Sequence, residues 1–398
     1  MALDQCRTGN FNANRMNENT IPITVTTLTG LEEVLSKELE ALGATNIRLR
    51  KRAVEFEGDK KLLYRANLEL RTAIRVLVPI REFNARGEDQ LYREIRKIKW
   101  NNYLQASGSL AIDAVTKSEY FRHSKYAALK TKDAIVDQFR KQYNRRPDID
   151  LNAPDVRINL HIFQDKITVS LDSSGDSLQK RGYRTESVDA PLSEVLSAGL
   201  ILLSGWQCDG HFIDPMCGSG TNLIEAAMYA YNIPPQLQRK NFGFMKWRDF
   251  DKALWEEVVA EAKSNIREFP YHILGFDKDF KAVRISQWNI IAAKVEGKIQ
   301  VERKPFEKLE APEGKGIIMI NPPYEMRLVT GDINALYKMI GDQLKQSFKG
   351  YDAWIISSNF QALKHIGLRP SKKILLHNGP LECKLQHYEL YEGTKKVK

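Results

Sequence analysis

Phe212-Ile213-Asp214-Pro215-Met216-Cys217-Gly218-Ser219-Gly220-Thr221 is the stretch whose reading decides the fold. A short apolar run ends on an acid, a glycine-bearing loop turns the chain, and a helical pattern follows from Thr221 through Tyr231. In an open parallel sheet, ligands bind at such turns, beyond the carboxyl ends of the strands. Glycine there lets the backbone approach a ligand closely. Asp214 would repel a polyphosphate, and the loop lacks the Gly-Lys-Ser/Thr ending of a phosphate-binding loop. A carboxylate in that place suits a ligand carrying an ammonium group.

Outward from this turn, further short apolar runs at 273–276, 317–320 and 354–356 predict strands with helices between them. Such alternation implies a parallel sheet covered by helices on both faces. Two runs at 373–377 and 384–391, split by Asn378-Gly379-Pro380, predict a closing antiparallel hairpin. The strand at 273–276 leads into Gly275-Phe276-Asp277-Lys278-Asp279. An acid at that strand end, Asp277, can accept both ribose hydroxyls of a nucleoside cofactor, and Asp279 suits a helix N-cap. The third strand reads Ile317-Ile318-Met319-Ile320-Asn321-Pro322-Pro323-Tyr324. Two prolines cannot continue a central ladder, so the strand stops at Asn321. The Asn321 side chain and the Pro322 carbonyl then become acceptors above the sheet edge, with the Tyr324 ring beside them. Two acceptors and a stacking face fit a planar exocyclic amine.

The 398 residues make room for two or three domains. A 42% hydrophobic, 28% charged composition is that of a globular chain, and no window nears the ~18 consecutive apolar residues of a membrane span. The N-terminus has no secretory pattern, residues 1–19 read as a loose extension, and Cys6, Cys208, Cys217 and Cys383 have no metal-site spacing. Reduced thiols in a cytoplasmic protein without a metal are the expectation. Residues 21–175 have an α+β texture: strands at 21–27, 46–50, 53–57, 75–83, 109–115, 156–163 and 166–172, with helices at 30–42, 60–68, 89–98 and 125–143. Gln164-Asp165 joins the last two strands as a hairpin. The net charge is +10, and bases gather at Arg122, Lys125, Lys132, Arg140, Lys141, Arg145 and Arg146, interleaved with Tyr120, Phe121, Tyr126 and Tyr143. Such a run is either a solvated helix face or a surface that neutralises phosphates and stacks on unpaired bases.

The Asp-x-x-x-Gly-x-Gly loop together with Asn321-Pro322-Pro323-Tyr324 resembles the Rossmann-like S-adenosylmethionine-dependent amino-methyltransferases. More closely, the chain resembles the THUMP-domain branch that methylates guanine N2 in RNA, and the bacterial large-subunit (23S) rRNA guanine-N2 methyltransferase family in particular. Three stretches carry this: 171–184 at the junction of the two halves, Ala190-Pro191-Leu192-Ser193-Glu194 opening a helix, and Asn378-Gly379-Pro380-Leu381-Glu382-Cys383. The resemblance implies a ferredoxin-like region over 20–75, a THUMP RNA-binding domain over 76–175 and a Rossmann-like methyltransferase domain over 176–398. It implies S-adenosylmethionine as cofactor, with its methionine end at Asp214, Met216, Gly218, Ser219 and Gly220, its ribose at Asp277, and Pro191 and Leu192 lining it. Asn321, Pro322, Pro323 and Tyr324 would hold the target base, and Asn321 would also border the cofactor. Where the family offers an Asp to the adenine amine, this chain has Arg303-Lys304-Pro305-Phe306-Glu307. Phe306 is expected to pack on adenine, with Glu307 as the residue that could replace the polar contact. Some members fuse a second methyltransferase domain; a chain ending at Lys398 is expected to hold one active site. The implied partner is 23S rRNA or a large-subunit assembly intermediate. Guanine N2 in tRNA, adenine N6 in nucleic acid, and a non-catalytic RNA-binding assembly factor stay open as alternatives.

Overall fold

The computed structural model describes residues 20–187, 191–324 and 332–391; the expected extension over 1–19 lies outside them. The first half runs β1 (Ile21–Thr26), α1 (Glu32–Ala41), β2 (Thr45–Arg50), β3 (Ala53–Gly58), α2 (Lys60–Glu69), β4 (Arg75–Asn84), α3 (Glu88–Ile95), β5 (Ser109–Lys117), α4 (Ser124–Tyr143), β6 (Asp148–Ile149), β7 (Val156–Phe163) and β8 (Lys166–Asp172). Among the described residues these strands form one sheet in the order β2-β3-β1-β4-β8-β7-β5-β6. The division expected at residue 75 falls at the first residue of β4. That strand pairs with β1 through Val76↔Val25 and with β8 through Val78↔Leu171, so the two regions share a continuous ladder. The β7–β8 hairpin turns at Gln164-Asp165, with Gln164 at φ 53°.

The second half runs α5 (Glu194–Ser204), β9 (His211–Asp214), α6 (Thr221–Ala230), α7 (Lys252–Ser264), β10 (Ile273–Asp277), α8 (Phe280–Ala292), β11 (Gln300–Arg303), β12 (Gly316–Ile320), α9 (Ile333–Ser347), β13 (Asp352–Ser357), β14 (Lys372–Asn378) and β15 (Leu381–Glu389). Its sheet has the order β11-β10-β9-β12-β13-β15-β14, with β9 to β13 parallel and β15 antiparallel to both neighbours. From β9 the chain steps outward through β10 to β11, then returns to place β12 on the other side of β9. The strand order therefore reverses between β9 and β12, which is where doubly wound sheets open a crevice. Apolar clusters fill both faces of this sheet, one around Phe212, Leu223 and Trp354, the other around Ile213, Ile318 and Tyr337.

The helices between the strands do not all cover this sheet. α7 leaves it and packs on α2, because the segment before it carries Phe242 and Phe244, which bury with Tyr64, Val258 and Ala262. Tyr64 stacks on Phe244 with ring centroids 4.4 Å apart, and Lys61 bridges Glu257 and Glu261 at 2.7 Å each.

The junction at 172–184 is built into both halves. Asp172, only 1% exposed, pairs with Arg75 and accepts from the Ser174 backbone at 2.9 Å. The Arg239 guanidinium donates to the carbonyls of Ser174, Asp176 and Ser177. Arg181 and Glu225 form a fully buried ion pair at 3.4 Å, and the Tyr183 hydroxyl donates to Glu225 at 3.0 Å.

Candidate active site and RNA-facing surface

The site is assembled by strand register. Gly275 lies opposite Asp214 across β9–β10, and Ile318 lies opposite Ile213 across β9–β12. Parallel strands in this register end on one edge. The loop after Asp214, the acid Asp277 and the Asn321-Pro322-Pro323-Tyr324 turn therefore converge there. Residues over a hundred positions apart are thereby brought to one edge of the sheet.

The Asp214 carboxylate is 1% exposed. It accepts from the Met216 backbone at 3.1 Å and from Asn222 at 2.9 Å, and Asn222 in turn accepts from Ser197 at 2.7 Å. Asp214 thus fixes the loop to α6 and α5. Burial pushes its pKa up to about 7, against the opposing effect of its two hydrogen bonds, with the Asp277 charge adding to the rise. Asp277 accepts from the Gly218 backbone at 3.0 Å and from the Asp279 backbone at 2.9 Å, one on each oxygen. Each oxygen keeps a further lone pair for a hydroxyl donor. Asp279 caps α8 by accepting from the Lys281 backbone, as its position suggested.

Two glycines shape the loop. Gly218 has φ 53° and Gly220 φ 79°, the left-handed region that side chains disfavour. A Cβ on Gly220 would sit 3.0 Å from that of Ser286 on α8. Met216 and Gly218 are half-buried, and Ser219 is 4% exposed. The Ser219 carbonyl is held by Asn289 at 2.9 Å. The loop is thereby a preformed cradle whose backbone can be approached, which fits the methionine end of S-adenosylmethionine. Pro191 and Leu192 precede α5, half-buried and buried respectively. Arg184 ties this segment to the cradle: it donates to the Leu192 carbonyl at 2.8 Å and to the Thr221 hydroxyl at 3.2 Å, and pairs with Glu194 at 3.0 Å. Sequence reasoning missed Arg184, Asn222 and Asn289; their role is set by partners that no local pattern reveals.

At the neighbouring strand end, the Tyr324 hydroxyl donates to the Asn321 side-chain oxygen at 2.5 Å. Burial, followed by the neighbouring Cys383 and Tyr337, pushes the Tyr324 pKa far above its usual value, so the group is a donor and not a base. Asn359 donates to the Tyr324 carbonyl at 3.1 Å. Tyr337, with its pKa pushed up to about 12 mainly by burial, sits within 2.6 Å of the Ser357 hydroxyl and 3.4 Å of the Pro323 carbonyl. Pro322 is buried and Pro323 half-buried. Phe306 requires a correction. Its ring is 2% exposed and packs against Phe348 with centroids 5.7 Å apart, so it belongs to the core and presents no face to an adenine. Arg303 and Glu307 are the exposed residues of that segment, and Lys304 is half-buried. The Cys217 thiol is pushed well above its usual pKa by burial and by the Asp214 and Asp277 charges, which keeps it un-ionised.

The basic residues singled out in the first half lie along α4, as two groups rather than one patch. Arg122 and Lys125 are exposed at its start; Arg140, Lys141, Arg145 and Arg146 are exposed at and beyond its end. From Lys125 to Arg140 the helix separates them by about 22 Å. Lys132, half-buried between them, pairs with Asp133 at 2.9 Å, and Arg140 pairs with Asp137 at 3.6 Å. Of the interleaved aromatics, Phe121 is core, while Tyr120, Tyr126 and Tyr143 are exposed. A cavity of about 220 Å³ opens beside the first group, lined by Tyr120, Arg122, His123 and Tyr126. Among the described residues no group of three His, Cys, Asp or Glu is gathered as for a metal ion, and no helix is long and apolar enough to cross a membrane.

Comparison with known proteins places these features. The model of the RMKL-like methyltransferase domain matches residues 181–387, that of the THUMP domain 85–172, and that of the RlmL ferredoxin-like domain 22–77. The chain is 40% identical over 376 residues to a putative RNA methyltransferase of Synechocystis sp., covering 94% of this chain and 97% of that one. It is also 40% identical over 376 residues to the ribosomal RNA large subunit methyltransferase K/L of Syntrophotalea carbinolica, covering 91% of this chain and 53% of that protein. The chain thus spans about half the length of the K/L relatives it matches. The solved structure of SMU.472, described as a putative methyltransferase complexed with SAH, matches with a TM-score of 0.84 at 30% identity, covering 94% of this chain and 100% of that one. With all three domain models matched in chain order, the chain belongs to the S-adenosylmethionine-dependent RNA methyltransferases that join a THUMP domain to an RMKL-like methyltransferase domain.

Proposed function

We propose that the chain transfers a methyl group from S-adenosylmethionine to the exocyclic N2 amine of a guanine in 23S ribosomal RNA, free or in a large-subunit assembly intermediate. The observation that carries this reading is the shared edge of β9 and β12, which sets the cofactor cradle beside an acceptor-rich, aromatic turn. The relatives named for large-subunit rRNA support the choice of RNA. When bound, the cofactor supplies an electrophilic methyl on a sulfonium, already a good leaving group. The chain's own residues therefore need little acid–base power. They must align the amine, at about 3–3.5 Å from the carbon it attacks, and exclude water.

In this reading Gly218, Ser219, Gly220 and the Met216 backbone hold the methionine end, with Pro191 and Leu192 alongside. Asp277 accepts the ribose hydroxyls on its remaining lone pairs. Guanine N2 is a poor nucleophile because its lone pair is delocalised into the ring. Asn321 and the Pro322 carbonyl accept from N2–H and stabilise the positive charge that develops on nitrogen. A carboxamide oxygen has two lone pairs, so Tyr324 occupies one on Asn321 and leaves the other for the amine. The Tyr324 ring stacks on the base. Lys125, Lys132 and the bases at either end of α4 contact the RNA backbone. The target base must leave its helix, which costs a few kcal/mol and favours unpaired or partly assembled RNA.

The test is transfer of tritiated methyl groups to undermethylated 23S rRNA and to bulk tRNA, followed by nucleoside analysis. Label in N2-methylguanosine of 23S rRNA is expected. Label in N6-methyladenosine, or in tRNA alone, would replace the reading, since the same acceptor pair suits any planar exocyclic amine. Absence of transfer with intact cofactor binding would leave an RNA-binding factor.

A further inference from the structure

The outer face of α8 carries rings that the reaction described above does not use. Ala282, Val283, Ile285, Ser286, Asn289 and Ile290 bury against the rest of the domain. On the opposite stripe Phe280 is 56% exposed, Trp288 40% and Ile291 58%. The spacing of Phe280, Arg284, Trp288 and Ile291 puts them on one side of the helix. A row of large apolar groups in water marks an interaction site more often than an ordinary surface. The Arg284 guanidinium lies over both rings, 4.7 Å from the Trp288 centroid and 5.9 Å from that of Phe280.

The charge around the stripe identifies its occupant. Lys278, Lys281 and Arg303 are exposed beside it and Lys304 is half-buried. Against them stand Asp279, whose carboxylate is engaged in capping the helix, and Glu302. Phe280 begins three residues after Asp277, at the rim of the cofactor strand, and the stripe runs from there for about 16 Å down the helix. Aromatic faces interleaved with bases form the surface that binds unpaired nucleotides: rings stack on bases of any identity while cations track the phosphates.

We propose that this face of α8 binds unpaired nucleotides of the substrate RNA flanking the target base, with bases stacked on Trp288 and Phe280 and phosphates toward Lys278, Lys281 and Arg284. The proposal rests on the RNA reading given above, and the experiment separates the two. Binding of a fluorescein-labelled single-stranded RNA, and of the same sequence as a duplex, is measured by anisotropy across a salt series for the full chain and for Trp288→Ala and Arg284→Glu. Calorimetric titration with S-adenosylhomocysteine checks that each variant is folded. Trp288→Ala is expected to weaken single-strand binding roughly tenfold, the worth of one stacked base, and to change duplex binding little. Arg284→Glu is expected to weaken binding to both and to flatten the salt dependence. Normal single-strand affinity in both folded variants overturns the platform while leaving the RNA reading intact. The same holds if Trp288→Ala alters only the mass of the protein in solution, which would make the stripe a contact between copies. Failure of the unaltered chain to bind either RNA overturns the RNA reading itself.

Discussion

Asp214 shows how burial sets a site's response to pH. Its carboxyl is pushed up to about 7 because neither oxygen reaches water, so near neutrality it exists in both forms. A ligand carrying sulfonium and ammonium charges favours the ionised form. Binding below pH 7 must therefore expel a proton, and affinity is expected to fall as pH drops, approaching tenfold per unit, and to level off above about pH 7. Titration of S-adenosylmethionine between pH 5.5 and 8.5 checks this; Asp214→Asn should flatten the curve, and a flat curve for the unaltered chain refutes it. At the other strand end, the proposed role of Asn321 predicts that Asn321→Ala abolishes transfer while leaving cofactor affinity nearly intact, because on that reading the lost acceptor serves the target amine. Tyr324→Phe keeps the stacking ring and loses one neutral hydrogen bond, so its kcat should fall by about two- to tenfold. Equal losses for Tyr324→Phe and Tyr324→Ala would show that the hydroxyl, and not the ring, matters.

At the scale of elements, the loop between β9 and α6 is where the sequence was most legible. Its glycines take positive φ and its acid ends a strand, both consequences of purely local chemistry. The β7–β8 hairpin, the turn at Asn321 and the cap at Asp279 were legible for the same reason. What stayed hidden depends on distant partners. The ring of Phe306 follows the core because Phe348 and Leu309 are there to receive it, and nothing within 303–307 reveals that. The departure of α7 from its own sheet is dictated by Tyr64 on α2. Even the basic run on α4 misleads on a linear reading, since twenty helical residues turn one cluster into two ends. The loop also gives a test of local geometry against packing. Gly220→Ala must adopt φ near 79° and push against Ser286, so a stability loss of about 1–3 kcal/mol with weakened cofactor binding is expected. Chemical denaturation and cofactor titration measure the two losses separately; an unchanged variant would mean that α8 yields easily.

Over the whole molecule, the question is how the THUMP half and the methyltransferase half hold a fixed relation. The junction at 172–184 is tied into both halves by buried residues, and its centre is the Arg181–Glu225 pair, with both side chains at 0% exposure. Arg181 also donates to the carbonyls of Leu178 and Arg71, so one guanidinium satisfies an acid on α6 and the backbone on either side of the boundary. Glu225 depends on it. Burial raises the carboxyl's pKa, Arg181 is the largest influence opposing that rise, and one carboxylate oxygen already has no partner among the described residues. Removing the base leaves a buried acid with only the Tyr183 hydroxyl, and a broken buried pair costs about 3–5 kcal/mol. Arg181→Ala is therefore expected to lower the midpoint of urea unfolding strongly. Its loss should grow as pH rises, because the orphaned carboxyl must ionise with only the Arg71 charge left to oppose its burial. Arg181→Lys should fall between, since it keeps the charge but cannot reach all three acceptors. If Arg181→Ala unfolds at the same urea concentration as the unaltered chain across pH 5 to 8, the junction is not what fixes the two halves. The orientation would then rest on the other contacts between the halves: α7 on α2 through Tyr64 and Phe244, and Leu31 against Gly199, where an added Cβ would meet the leucine at 2.6 Å.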